Sequence, residues 1–423
     1  MSHEATHRAI DAVWRIESAK IIAALARMVR DVGLAEELAQ DALVAALQQW
    51  PASGIPDNPG AWLMAAAKHR AIDAFRRRKL LERKHQELGR DLQTRQELSM
   101  PNFDTALDDH IGDDLLRLLF VSCHPVLSTE ARVALTLRLL GGLKTEEIAR
   151  AFLQPEPTIA QRIVRAKRTL ADAHVPFEVP RGPELTDRLS SVLEVIYLIF
   201  NEGYSATSGG DWVRPALCED ALRLGRILAE LAPQEPEVHG LVALMEIQAS
   251  RSRARVGPTG EPILLFDQNR AAWDQLLIRR GLAALDRAER SADQRGPYTL
   301  QAAIAACHAR AISPDQTDWP KIVALYDALA AVTPSPVVEL NRAVAISMAH
   351  GPQAGLDLID QLAAEPALRN YHLLPSVRAD LLKKLSRLSE ARAEFTRAAS
   401  LTQNARERSL LLARADSCAT ELH

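Results

Sequence analysis

Apolar residues return every three or four positions through most of this chain. Between Ala5 and Val29 they fall at Ile10, Val13, Trp14, Ile16, Ile21, Leu25 and Met28, one helix face, until Asp31-Val-Gly33 breaks the run. The next periodic stretch, "LAEELAQDALVAALQQW", stops at Pro51. "PASGIPDNPG" reads as loop, and Pro59 is placed to open a third helix, "GAWLMAAAKHRAIDAFRRRKL". Residues 86–111 lose the period and read as a linker. A compact group follows: "GDDLLRLLFVSC", a turn at His124-Pro125, "STEARVALTLRLL" with Ser128 as N-cap, Gly141-Gly142, then "KTEEIARAFLQPEPTIAQRIVRAKRTL", ending near Val175-Pro176. After a second linker at 176–185, helix pairs continue from 186 to 423.

Composition strengthens the helical reading. Ala, Leu, Arg and Glu are abundant and dense Val, Ile and Thr runs are scarce, so propensity favours an all-α fold. With 423 residues, 47% of them hydrophobic, the chain is sized for two or three domains. Cys123, Cys218, Cys307 and Cys418 form no C-x-x-C pair, and "MSHEATHRAID" has no signal-peptide core. The most apolar segment, "SVLEVIYLIF", is about half the roughly 20 residues needed to span a bilayer. These features predict a cytoplasmic protein that needs no metal, cofactor or membrane.

Charge adds function to the pattern. Thr145, Glu146 and Glu147 suit the first turn of a helix running to Phe152, and a second helix begins near Pro157-Thr158, so the pair reads as a helix-turn-helix. In the second helix Ile159, Ile163, Ala166 and Leu170 form a stripe for burial. Gln161, Arg162, Arg165, Lys167 and Arg168 are left outward, suited to base edges and phosphates in a major groove. Upstream, Lys68, His69, Arg70, Arg76, Arg77, Arg78, Lys79, Arg83 and Lys84 face only Asp73 and Glu82, a charge balance that attracts a phosphate backbone. Glu36, Glu37, Gln40 and Asp41 fall within two turns and offer an acidic patch to a basic protein.

The order of these motifs resembles the two domains of extracytoplasmic-function sigma factors of bacterial RNA polymerase: "AEELAQDALVAALQQW", "NPGAWLMAAAKHRAIDAFRRR", a linker, then "EARVALTLRLLGGLKTEEIARAFLQPEPTIAQRIVRAKRTL". The match covers roughly the first 175 residues. It implies that 1–85 is region 2 and 112–175 is region 4, that core RNA polymerase is bound through its β′ clamp helices and β flap, and that promoter DNA is the second partner. Glu36, Glu37, Gln40 and Asp41 match the clamp-binding segment. Trp62 to Arg78 match the segment that opens and reads the −10 element, with Trp62, Lys68, His69, Arg70, Arg76 and Arg77 as its contacts. His69 stands where the family commonly has Asn; imidazole can stack on or hydrogen-bond a splayed base. Ala160, Gln161, Val164 and Arg165 match the −35 contacts, with Arg162, Lys167 and Arg168 nearby. Ala160 cannot hydrogen-bond a base, which shifts specificity to Gln161 and Arg165.

The remainder, with "LIFNEGYSATSGG" and "FDQNRAAWDQLLIRRG", resembles the TPR-type extension of one sigma-factor group. "NRAVAISMAHGPQAGLDLID" aligns with "VRADLLKKLSRLSEARAEFT" at an offset of 36, Ala343 over Ala379 and Gly355 over Ala391, near the 34-residue period of TPR pairs. The loop "NEGYSATSGGDW", with Asn201, Glu202, Tyr204 and Asp211, either caps helix ends or lines a ligand or docking site. Asp267, Arg270 and Asp274 are expected to pair around a packed Trp273. A cis-regulatory or partner-binding role is expected of this extension. The rival reading is a conventional helix-turn-helix repressor or activator with a TPR-type interaction domain, which leaves the acidic patch and the upstream basic helix unused. No phosphate-binding Gly-rich loop, G-x-S-x-G or H-E-x-x-H occurs, and His3 and His7 at i, i+4 lack a third ligand, so catalysis is not expected.

Overall fold

The computed structural model describes residues 3–88, 111–152, 154–181, 183–205, 208–209, 212–258, 260–291 and 294–420. Helices account for most of it, as the periodicity predicts, and they form two compact units, Met1–Val195 and Ile196–His423.

In the first unit α1 (His3–Val29), α2 (Val32–Ser53) and α3 (Pro59–Leu88) pack on one another. The break at Asp31-Val-Gly33 is a tight reversal: Arg30 takes a φ of 53°, and the Asp31 carboxylate accepts from the Leu34 N–H at 3.0 Å to cap α2. Pro59 opens α3, with Asn58 accepting from the Ala61 N–H at 3.0 Å. Leu63, Ala67 and Ala71 form its buried stripe, and the two alanines allow close approach of its neighbours. Trp50, buried at the end of α2, meets Trp62 edge-on with ring centres 5.3 Å apart.

The second helical group of this unit is α4 (Ile111–Ser122), α5 (Thr129–Leu139), α6 (Thr145–Ala151) and α7 (Glu156–Asp172). Ser128 caps α5 as expected. At α6 the reciprocal cap comes from Glu147, whose carboxylate accepts from the Lys144 N–H at 2.8 Å. The first half of α8 (Pro183–Tyr204) belongs here too. Arg188 and Ser191 donate to the Phe120 and Cys123 carbonyls at 2.8 and 2.9 Å, acceptors that the C-terminal end of α4 leaves without helical partners. The division between units therefore falls inside α8, later than the linker expected at 176–185.

The second unit continues with α9 (Pro215–Leu231), α10 (Pro236–Ala249), α11 (Gln275–Ser291), α12 (Pro297–Arg310), α13 (Trp319–Val332), α14 (Pro336–His350), α15 (Pro352–Leu362), α16 (Leu373–Lys384), α17 (Leu388–Leu401) and α18 (Ala405–Thr420), each packed on its chain neighbours. The 36-residue self-similarity has a physical basis. Ala343, Ala379 and Ala391 are fully buried, and a Cβ on Gly355 would lie 2.8 Å from the Ala343 carbonyl, so small residues stand where helices meet.

Two expectations for this unit are corrected. Asn201, Glu202, Gly203 and Tyr204 are not loop but the last turn of α8, because a side-chain-free Gly203 lets that turn press on α9: a Cβ there would be 2.6 Å from the Cys218 amide nitrogen. Glu202 pairs with Arg214, and Asp211 lies outside the described residues. The network expected around Trp273 is also absent among the described residues. Asp274 instead caps α11, accepting from the Leu276 and Leu277 N–H groups at 2.9 and 3.1 Å, while Arg270 donates to the His308 and Ala311 carbonyls at 2.8 and 2.7 Å. Trp273 itself is packed, 4% exposed.

Long-range ties cross the same unit. β1 (Ser208–Gly209) pairs in parallel with β2 (Gln403–Asn404), between α17 and α18. Tyr197 of α8 lies edge-on to Tyr298 at 5.5 Å and hydrogen-bonds Gln301 at 3.1 Å. Burial pushes the Tyr326 hydroxyl up to about 12, with a smaller contribution from Tyr197.

Candidate nucleic-acid and polymerase interfaces

Helix α7 divides its side chains as the sequence pattern demands. Ile159, Ile163, Ala166 and Leu170 are all buried, while Gln161, Val164, Arg165 and Arg168 are exposed and Arg162 is partly so. Gln161, Arg162 and Arg165 edge an open groove with Val126 and Ser128, which precede α5, and Ala131 in its first turn. Lys167 does not join this face. Its ammonium turns toward α2 and reaches Glu36 at 2.7 Å.

Along α3 the buried stripe leaves His69 and Arg76 exposed and Trp62, Lys68 and Arg70 partly exposed. Arg70 stands 3.7 Å from Asp41 of α2, and Arg76 is 3.8 Å from Asp73. The side chains of residues 77–88 lie outside the described residues, Arg77 among them. Phe75, which in the sequence reads as one more apolar helix position, is 39% exposed beside Arg76.

The acidic segment is split. Glu37 and Asp41 are exposed, Gln40 is partly so, and Glu36 is 3% exposed. Glu36 is a hub: Arg138 of α5 reaches it at 2.6 Å, Lys167 at 2.7 Å and the Gln40 amide at 2.6 Å. Burial alone would raise its pKa, yet Lys167 and Arg138 outweigh that and hold the carboxyl below its usual value. Its ionised form is thus fixed by two cations from the other helical group. Further ion pairs join the same groups, Arg15 to Glu147 at 2.6 Å, Arg27 to buried Asp114 at 3.3 Å and Lys144 to Asp11 at 3.6 Å. Arg138 could have been suspected from sequence, being the lone cation in "VALTLRLL"; nothing local marks Glu36 as its partner.

This arrangement, with an acidic and a basic helix upstream and a helix-turn-helix downstream, is matched by two family models. Sigma-70 region 2 matches residues 16–80, and Sigma-70 region 4 matches residues 117–170. The chain belongs to the sigma-70 family. It is an extracytoplasmic-function sigma factor with a helical C-terminal extension, an alternative sigma factor that directs transcription initiation through core RNA polymerase and promoter DNA. Residues 188–289 of the extension match a family of unknown function (DUF6596). An uncharacterised protein of Rhizobium meliloti (strain 1021) is 45% identical over 399 residues, covering 94% of this sigma factor and 93% of the relative. A probable ECF RNA polymerase sigma factor, SigI, of Mycobacterium tuberculosis (strain H37Rv) is 26% identical over 173 residues, 41% of this chain and 58% of that protein. No solved structure matches. Among the described residues no helix is long and apolar enough to cross a membrane, and no group of three or more His, Cys, Asp and Glu is placed to hold a metal.

Proposed function

We propose that this sigma factor exists free in a clasped form, in which region 4 lies on region 2, and that core polymerase opens the clasp. The observation that carries this is the Lys167–Glu36 contact at 2.7 Å. Promoter elements about one and a half duplex turns apart are separated by roughly 50 Å. A helix of region 4 lying against α2 cannot serve the distal element while region 2 serves the proximal one.

In the opened form Glu36 exchanges Arg138 and Lys167 for basic groups of the β′ clamp helices, alongside Glu37, Gln40 and Asp41. Residues Trp62, Lys68, His69, Arg70, Arg76 and Arg77 engage the −10 element, and exposed Phe75 adds a stacking surface for an unpaired base. Gln161, Arg162, Arg165 and Arg168 read and anchor the −35 element, Lys167 joins them once released, and region 4 seats on the β flap. The C-terminal unit is a TPR-like regulatory module, and the protein works in the cytoplasm as a non-catalytic subunit.

The test is in-vitro transcription of fragmented genomic DNA by core polymerase with and without this protein, mapping RNA 5′ ends. New starts sharing two upstream motifs at fixed spacing support the reading; motif-independent or unchanged starts refute it. A repressor of the helix-turn-helix type would leave core polymerase unbound.

A further inference from the structure

The C-terminal unit holds a cluster of cations that its own acids do not neutralise. Arg251 and Arg255 flank the turn Ser252–Ala254 that follows α10, and Arg270 begins the turn Arg270–Ala272 that precedes Trp273. Arg255, 7% exposed, has its guanidinium carbon 3.5 Å from the Tyr204 ring centre and donates to the Tyr204 carbonyl. Arg251 donates to the Tyr204 hydroxyl and the Gln248 side chain. The guanidinium carbons of Arg251 and Arg270 lie 5.6 and 5.1 Å from the centre of one indole, that of Trp273. Among the described residues none of these three arginines has an Asp or Glu oxygen within 4 Å; exposed Asp315 acts on Arg270 only from farther off.

Ring faces and carbonyls offset part of that charge, but removing a cation from water without a counter-ion costs several kcal/mol. The local chemistry registers it: burial, with the charge of Arg251 adding to it, lowers the pKa of both Arg255 and Arg270. The His308 imidazole, held down to about 4 by burial and then by Arg251 and Arg270, is neutral at physiological pH. A second observation points the same way. Arg251 Nε, Arg270 Nε, Trp273 Nε1 and His308 Nδ1 are all buried without a hydrogen-bond partner. Unpartnered buried nitrogens are uncommon in folded proteins, and these belong to side chains that meet in one place.

We propose that this cluster is a binding site for a small ligand bearing an oxyanion, phosphoryl or carboxylate, gripped by Arg251 and Arg270 at the Trp273 ring with His308 as a hydrogen-bonding group. Both arginines are partly exposed, which gives an anion its way in; Arg270 already donates to the His308 and Ala311 carbonyls and to Thr317, and Arg251 to Tyr204 and Gln248, so an oxyanion is held by the guanidinium N–H groups these bonds leave over. A nucleic-acid track is not what this resembles, since backbone binding uses an exposed row of cations, and Arg255 is enclosed. Tyr204, Arg251, Arg255, Arg270 and Trp273 all fall within 188–289, the segment whose matching family has no assigned function.

Full-length protein titrated by calorimetry and thermal shift with inorganic phosphate, and separately with succinate, each against sodium chloride at equal ionic strength, tests the site. Expected is saturable binding of at least one, with a rise in Tm and a change in Trp fluorescence; which probe binds tells phosphoryl from carboxylate. Arg251→Met and Arg270→Met should each weaken it by about tenfold or more. His308→Gln, which keeps all three arginines, provides a milder variant should those lose their fold, and should also weaken binding. No saturable response to either probe up to about 10 mM, the weak end of specific binding, overturns the proposal. So does undiminished affinity in the folded variants.

Discussion

Glu36 of α2 and Lys167 of α7 lie 131 positions apart and meet at 2.7 Å, with the carboxylate 3% exposed. A residue expected at the polymerase interface and one expected beside the promoter contacts thus occupy each other. Replacing Lys167 by Met leaves Glu36 with Arg138 as its one cation from the other helical group, beside the Gln40 amide, a loss of about 1–2 kcal/mol in the contact between the groups. Small-angle scattering should show a larger radius of gyration, and α2 should exchange its amides faster. An unchanged radius would mean that the remaining ion pairs and the apolar contacts hold the groups together without Lys167.

Asp41 is exposed and only loosely paired with Arg70. Asp41→Lys should therefore leave Tm within the range of an ordinary surface substitution, about 0.5 kcal/mol, while core-polymerase binding falls at least tenfold in a pull-down or fluorescence titration. Retained binding would remove α2 from the polymerase interface.

Gln161 and Arg165 project from the exposed face of α7. Arg165→Ala should reduce the salt dependence of holoenzyme–promoter affinity by about one phosphate contact, or cost about 1–3 kcal/mol at a single base pair if it reads a base. Mutating each −35 position in turn distinguishes the two.

Phe75→Ala removes a ring that is 39% exposed and should cost less stability than truncation of a fully buried Phe. If the ring stacks on an unpaired base, permanganate footprinting will show promoter melting reduced about fivefold or more, reflecting the roughly 1–3 kcal/mol of such stacking. Equal melting would assign Phe75 to the surface alone.

The His308 imidazole is depressed to about 4 from 6.5. A group that resists protonation in the folded state lends stability that is complete above its unfolded pKa and is lost as pH falls through the folded value. Full-length protein should lose stability as pH falls from about 6.5 to 4, and His308→Gln should flatten the curve over that window in thermal melts.

What was legible in the sequence was what rests on local period. The α7 stripe at Ile159, Ile163, Ala166 and Leu170, the Ser128 cap and the Pro59 start needed only neighbours three or four positions away. Glu36 reads as open acid in the sequence because its partners come from 102 and 131 residues downstream. The end of α8 was misread for a similar reason. Gly203 suggests a flexible loop until Cys218 is brought against it, and then the absence of a side chain is a packing requirement. Arg251 and Arg255, in a run that looks solvated, acquire meaning only beside Tyr204 and Trp273.

A deletion after residue 180 would strip Arg188 and Ser191 from the Phe120 and Cys123 carbonyls. Such a truncation should melt several degrees below one ending at 204, as two buried acceptors lose donors worth about 1–3 kcal/mol each.

The pairing of Ser208–Gly209 with Gln403–Asn404 changes how the C-terminal unit comes apart. A stack of helix pairs in which each touches only the next unfolds by fraying, and its stability grows with every added repeat. Here the segment that follows the first helix is fastened to the one that precedes the last, so neither end is free to fray alone. Loss of α18 would be felt at α8, and the unit should respond to denaturant as a single cooperative body instead of a ladder losing its rungs.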